Sequence, residues 1–406
     1  MIWANFLHIY QPPNQWQEIL DNVVKTSYIK IIEILKKYPW AKVTLNITAC
    51  LTEQLAKRGC SRVIEDLKKL AERGQIEFVG SSKYHAFLPL LPKNEIERQI
   101  KLNYRINKFY FGKVYQPKGF HLPELAYSKK VAKIINKLGY SWIVVDEICF
   151  KGKLGQKIDT SKIYNLENCH PLKVFVRIRR PSYFFQNGLI KSPEDFYSCL
   201  KKINKNGYLI TVVDGEVFGH HFPGMEEVLE KIYSERKIET KNVSELFKIY
   251  PQNGKIKLFP GTWGTLESEF KKKIYYAQWN YPNHPIHKKQ WALTYFATET
   301  VEKYKSDANY KKARKILDMA LFSCHYWAGG AVPWWDPRLI EKGARYLSQS
   351  ISLLKKIPKK IKERAKEFYY QIVRKAFKWE EFGWARKKSI NYTKKIVKEL
   401  KKISFS

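Results

Sequence analysis

Four stretches of the chain set titratable or amide side chains directly after a run that reads as a buried strand. They are His8-Ile9-Tyr10-Gln11-Pro12; Gly80-Ser81-Ser82-Lys83-Tyr84-His85, with Glu77 inside its strand; His121-Leu122-Pro123-Glu124; and Asp214-Gly215-Glu216, running on to His220-His221. Asp214 closes the apolar run Leu209-Ile210-Thr211-Val212-Val213, and a charge there must be solvated, paired or put to use. Gly215 allows a turn that leaves the carboxylate accessible, and Glu216 adds a second acid two residues on. Glu124 has two readings: a first-turn acid that complements the dipole of the helix after it, or a carboxylate pushed out of a sharp turn by Pro123. Two carboxylates on facing strand ends can divide nucleophile and acid/base roles between them. A set of structural ion pairs is the other reading of the same residues.

Adjacent residues on an extended segment face opposite ways, so His220 and His221 are not expected to hold one ion together. A metal site built from His8, His85, His121 and one of that pair competes with a plainer reading, imidazoles that hydrogen-bond a polar ligand. Trp263, in Pro260-Gly261-Thr262-Trp263-Gly264, and Tyr326, Trp327, Trp334 and Trp335 are either stacking platforms or ordinary core aromatics.

These side chains need a frame. Apolar runs at Ile2–Leu7, Lys42–Thr48, Ile76–Val79, Gly119–Leu122, Ser141–Asp146, Val174–Ile178 and Tyr208–Val213 predict strands. Between them, helical spacing covers 16–37, 61–73 (capped by Ser61 and stopped by Gly74), 94–111, 128–138 and about 193–203. Repeated β-then-α order implies a parallel sheet with helical crossovers. Some seven units fit an α/β barrel, whose active face lies at the carboxyl ends of the strands. An open doubly wound sheet is the alternative, but no Gly-rich dinucleotide turn follows the first strand. From Pro285 onward only helical patterns remain. The expected organisation is a barrel over 1–285 and a helical domain over 286–406.

The chain has 406 residues, 44% hydrophobic and 28% charged, which excludes a disordered, collagenous or small disulfide-framework protein. A net charge of +36 raises nucleic acid or an anionic surface as partners. Yet 18 Lys/Arg against 5 Asp/Glu fall in residues 355–406, and elsewhere lysine pairs sit on polar helix faces. With no nucleic-acid module and no phosphate-binding loop, a solvated lysine-rich surface with weak polyanion binding is the reading. The six cysteines are scattered without metal or finger spacing. Together with the lack of a leader or an 18-residue apolar run, they point to a reducing cytoplasm and no membrane.

In their order the segments resemble the family-57 glycoside hydrolases. The motifs that carry the resemblance are His8-Ile9-Tyr10-Gln11-Pro12, Gly74-Gln75-Ile76-Glu77, Leu122-Pro123-Glu124 with Ala126-Tyr127, and Asp214-Gly215-Glu216-Val217-Phe218-Gly219. The resemblance implies an incomplete parallel (β/α)7 barrel followed by a C-terminal helical domain, and retaining chemistry on α-1,4-glucans without a cofactor or metal. By motif it implies Glu124 as nucleophile and Asp214 as general acid/base. His8, Gln11, Glu77, His121, Glu216, His220, His221, Trp263, His325 and Trp327 would bind the sugar. Three positions depart from the pattern: Tyr10 where a second histidine is usual, His121 for a bulky aromatic, and His325 where an acid is expected. Hydrolysis, 4-α-glucanotransfer and branching are all activities the resemblance allows.

Two readings of other classes remain. A metal-dependent polysaccharide deacetylase needs an aspartate at the end of the first strand, and Ala4-Asn5-Phe6-Leu7-His8 has none. A non-catalytic glycan or polyanion binder has no need of acids at strand ends.

Overall fold

A computed structural model of the chain describes residues 1–201 and 203–405, which form two compact units. The first comprises 1–83 and 100–263, the second 84–99 and 264–405. Ten strands are present among the described residues, β1 (Ile2–Ile9), β2 (Val43–Ile47), β3 (Ile76–Phe78), β4 (Gly119–Phe120), β5 (Trp142–Asp146), β6 (Tyr164–Leu166), β7 (Lys173–Arg177), β8 (Tyr208–Asp214), β9 (Glu239–Thr240) and β10 (Gly254–Ile256), and all belong to the first unit.

One sheet runs β3-β2-β1-β8, with β9 beside β1, and the other runs β10-β6-β7-β5-β4. All ladders are parallel except β6 with β7. A Gly80–Phe120 bridge, with hydrogen bonds Gly80 N to Gly119 O and His121 N to Gly80 O, joins the sheets at β3 and β4. No ladder joins β7 to β8 among the described residues. The seven sequence-predicted strands are β1–β5, β7 and β8, in the order expected of an α/β barrel.

Strand alternation divides the apolar side chains between two cores. Trp3, Leu7, Val43, Leu45, Ile76, Phe78, Leu209 and Val213 pack outward under the helices. Ala4, Phe6, Trp142, Val144, Phe175, Tyr208, Ile210 and Val212 share a second, inner core. Continuing the inner parity to each strand's carboxyl end gives His8, Asn46, Asp146, Arg177 and Asp214. The inner face is therefore largely apolar below the rim, with Thr44 and Glu77 as polar exceptions at the level of Phe6, and its polar side chains gather at the rim, the arrangement of a barrel with its functional face there.

The helix expected over 16–37 is interrupted. Gln17–Val23 and Ile29–Lys37 are α-helical, and Val24–Tyr28 between them is a π turn. The extra residue of such a turn re-aims side chains; Ser27 Oγ donates to the Gly215 carbonyl at 2.9 Å. Ser61 does not cap its helix. The N-cap is Cys60, without a side-chain bond, and the Ser61 hydroxyl donates back to Ala56 O at 3.4 Å. The helices Ala49–Lys57 and Arg179–Gln186 were not anticipated.

The second unit holds the helices Pro285–Lys303, Tyr310–Ala320, Cys324–Gly330, Pro337–Ser352, Lys359–Glu381 and Trp384–Phe405. Its interior includes a buried ion cluster in which Arg314 pairs with Glu95 and, at 2.9 Å, with Asp318, itself bound by Arg98 at 2.7 Å. The units part at Trp263–Gly264, ahead of the expected 285, and Tyr84–Gln99 goes with the helices. The physical reason is packing. Trp279 stacks on Phe87 at 5.0 Å, and its carbonyl accepts from Trp291 Nε1 at 3.0 Å. No helix among the described residues is long and apolar enough to cross a membrane.

Candidate active site

Registry brings the predicted residues of β1 and β8 together: His8 pairs with Asp214 on one side and with Asn46 on the other. His8 Nδ1 lies 2.7 Å from Asn46 Oδ1. That oxygen only accepts, so the proton is on Nδ1 and Nε2 is the acceptor. Burial pushes the His8 pKa down and so favours the neutral ring, against the opposing pull of the Asp214 charge. The His121 ring stacks on His8 at 4.6 Å, and Tyr10 lies at 6.1 Å.

Glu124 occupies the middle of a 3-10 turn, Pro123–Leu125, and is itself left-handed, with φ 62° and ψ 16°. A non-glycine residue held there costs about 1–2 kcal/mol, which bears out the sharp turn and disposes of the helix-acid reading. Trp263 fixes it twice: its backbone N donates to Glu124 O at 3.2 Å and its indole Nε1 to Glu124 Oε2 at 3.0 Å.

Asp214 is half-buried and clamped by one glutamine. Gln186 Nε2 donates to Asp214 Oδ2 at 2.7 Å, and Asp214 N donates to Gln186 Oε1 at 3.0 Å. Gln186 closes the Arg179–Gln186 helix, and Ser182, four residues back on the same face, accepts from Val212 N at 3.2 Å. Glu216 is buried and accepts from Tyr28 Oη at 2.5 Å, Tyr10 N at 3.1 Å and Gln11 Nε2 at 3.3 Å. Burial first, and the Asp214 charge second, push its pKa up to about 7. The two glycines of this segment have steric causes. A Cβ at Gly215 would meet Ile9 Cγ2 at 2.5 Å, and one at Gly219, where φ is +101°, would run into the Thr26 carbonyl.

Below Trp263 lies a buried ion cluster. Arg177 Nη1 donates to Asp146 Oδ2 at 2.8 Å and Arg179 Nη2 to Asp146 Oδ1 at 2.5 Å. Burial brings the Arg177 pKa down to about 10, so it stays charged at neutrality. Next to the cluster, Glu147 is pushed up to about 7 by burial first and the Asp146 charge second.

Glu77, in the first unit, does not join this rim. Glu77 pairs with Thr44, which pairs with Phe6. It thus lies two residues below the level of His8 and Asp214, roughly 7 Å deeper. There its carboxylate accepts from Ser244 N at 3.0 Å, from Ser244 Oγ and from Thr44 Oγ1 at 3.3 Å. It ties the floor of the sheet together. His325 is fully buried in the second unit, packed on Tyr326 at 3.8 Å, with its pKa brought down to about 3 by burial. It is a core histidine. His85 also belongs to that unit, its Nδ1 2.9 Å from Ser323 Oγ. Trp327 is half-buried there and packs on Trp334 at 4.8 Å. His220 lies 3.3 Å from Thr26 Oγ1, and His221 is exposed.

Sequence reasoning missed Asn46, Tyr28, Asp146, Arg177, Arg179 and Gln186. The rule that picked out Asp214 would have found Asp146 and Arg177, charges that close apolar strands. Nothing local in the sequence marks Gln186 or the π turn that aims Tyr28.

Parallel strands whose carboxyl ends bring His8, Asp146, Arg177 and Asp214 to the inner face define an α/β-barrel class of protein with its functional rim there. The chain belongs to glycosyl hydrolase family 57, whose family model matches residues 4–259. It is 28% identical to an α-amylase of Dictyoglomus thermophilum over 58% of this chain and 33% of that one. It is 24% identical to a 4-α-glucanotransferase of Thermococcus litoralis over 77% of this chain and 45% of the relative. The chain thus spans a third to under half of the length of these curated relatives. A crystal structure of a family-57 branching enzyme from Thermococcus kodakaraensis, in complex with glucose, matches with a TM-score of 0.70 and 15% identity, covering 91% of this chain and 94% of that one. At that identity it shows the fold alone.

Proposed function

We propose that the protein is a retaining glycoside hydrolase acting on α-1,4-linked glucans, with Glu124 as nucleophile and Asp214 as general acid/base. The observation that carries this reading is that both carboxylates stand at strand ends of one array and each accepts a side-chain N–H: the Trp263 indole for Glu124 and the Gln186 amide for Asp214. A donor aimed at a carboxylate fixes its direction, as in-line attack and directed proton transfer both require. Asp214 delivers a proton to the departing glycosidic oxygen as Glu124 attacks the anomeric carbon. It then takes a proton from the water that breaks the glycosyl-enzyme. Neutral His8 and the buried Glu216, held by Tyr28 and Gln11, orient sugar hydroxyls. His121, His220, His221 and Trp263 complete the sugar contacts.

The relatives' names, α-amylase and 4-α-glucanotransferase, support an α-glucan substrate. Transfer to a second sugar is the alternative outcome, supported by the match to the glucanotransferase over 77% of the chain. The site reading needs no cofactor. Six free cysteines among the described residues suit a reducing cytoplasm. The test is incubation with maltooligosaccharides. Shorter products alone mean hydrolysis, and shorter plus longer products mean transfer. Glu124→Gln and Asp214→Asn should each lower turnover on the order of 10⁴-fold; full activity in either overturns the assignment.

A further inference from the structure

Asp146, Arg177 and Arg179 have no part in the mechanism above, yet they are among the most buried charges in the first unit, at 0%, 3% and 2% exposure. A buried ion cluster of this kind is a poor source of net stability, because desolvation offsets most of the attraction. What it supplies is fixed geometry, and here the geometry leads to Glu124. Arg179 forks onto Asp146 through Nε at 3.1 Å and Nη2 at 2.5 Å, and the same Nη2 donates to the Thr262 carbonyl at 3.3 Å. Thr262 immediately precedes Trp263. Arg177, held by Asp146 at 2.8 Å, lies over the Trp263 ring with its Cζ 5.8 Å from the centroid. On the other side, Tyr127 N donates to Gly261 O at 2.9 Å. The segment that presents the indole is therefore pinned at Gly261, at Thr262 and across the face of the ring itself.

We infer that Asp146, Arg177 and Arg179 are positioning residues for the nucleophile: they hold Thr262 and Trp263 so that the indole N–H points at the Glu124 carboxylate. The inference rests on the reading of Glu124 as nucleophile and goes beyond it, because it assigns a task to three side chains that the mechanism above does not use. The chain of contacts has one consequence that simple support of the fold lacks. Loss of any link removes the same N–H donor from Glu124, so the effects converge on its ionisation and aim.

The test compares Trp263→Phe, which keeps a ring and loses the donor, with Arg179→Lys, which keeps the charge but not the planar fork that reaches both Asp146 and Thr262. kcat/KM is measured against pH on an aryl α-maltoside with a good leaving group, so that nucleophilic attack is read with little demand on the acid. Each variant should lose about 10- to 100-fold in kcat/KM. Each should also move the acidic limb of the profile upward, since a lost donor favours the protonated carboxyl. The double variant should be no worse than the poorer single one, because both act through one hydrogen bond. An unmoved acidic limb in Trp263→Phe overturns the inference by itself, and so does an unmoved limb or an additive loss in a folded Arg179→Lys. Should that variant fail to fold, Asp146→Asn, which keeps the shape and one acceptor, provides the same readouts. Glu124→Gln separates the two claims. If it retains activity, the proposed function fails; if it is inactive while the limbs stay put, only the positioning role fails.

Discussion

Gln186 offers the sharpest separation of acid catalysis from general integrity. Its amide binds Asp214 twice, Nε2 donating to Oδ2 at 2.7 Å and Oε1 accepting from Asp214 N at 3.0 Å. Gln186→Leu removes both and keeps most of the volume. A hydrogen bond to a charged group is worth about 1.5–3 kcal/mol. If that much is lost from the transition state, kcat/KM falls roughly 10- to 150-fold. The assay uses two substrates that differ only in leaving group, a maltooligosaccharide and an aryl maltoside whose phenol departs without protonation. The sugar leaving group should show the full loss and the phenol only a few-fold loss, because only the first needs the proton from Asp214. Equal losses on both substrates, at an unchanged thermal midpoint, would refute the acid role assigned to Asp214.

Tyr28→Phe removes the shortest donor to the buried Glu216, 2.5 Å away, and should cost about tenfold in kcat/KM for roughly one such bond, read by steady-state kinetics on maltooligosaccharides. Glu77→Gln weakens the tie to Ser244 and should lower stability by about 1–2 kcal/mol in denaturant unfolding while kcat changes less than twofold; a large loss of kcat would return Glu77 to the site. Glu147 has its folded pKa raised to about 7 from the usual 4.5, by burial first. The native state therefore holds a proton that the unfolded chain releases, so this contribution to stability is complete below 4.5 and is lost as the pH rises through 7. Glu147→Gln should flatten the fall in stability over that window by up to about 1.4 kcal/mol per pH unit, measured by unfolding at a series of pH values.

Much of the frame was legible because strand alternation and helix spacing are local signals. All seven core strands were found within a residue or two, and Asp214 followed from one rule, that a charge closing an apolar run needs a reason; Asp146 and Arg177 answer to the same rule but were passed over. What escaped depends on contacts distant in sequence. Glu77 shares its strand with apolar neighbours, and only the register with Thr44 shows that it lies below the rim. His325 reads as a ligand candidate in Ser323-Cys324-His325-Tyr326-Trp327, yet a Cβ added at Gly343 would press on its ring, the mark of a close-packed interior. The π turn at Val24–Tyr28 leaves no signature in a continuous helical pattern, though it directs Tyr28 to Glu216. Gln186 ends a short helix, Arg179–Gln186, that the sequence pattern did not mark.

The measurement that bears most directly on these claims is covalent trapping. A fluorinated maltosyl fluoride reacts as the substrate does, but its glycosyl-enzyme turns over slowly, so proteolysis and mass spectrometry locate the sugar. The account predicts one label per chain, carried by the Leu122-Pro123-Glu124 peptide on the Glu124 carboxylate and absent from Glu124→Gln. A label on Asp214 or Glu216, or turnover of natural substrate without any trapped species, would contradict it.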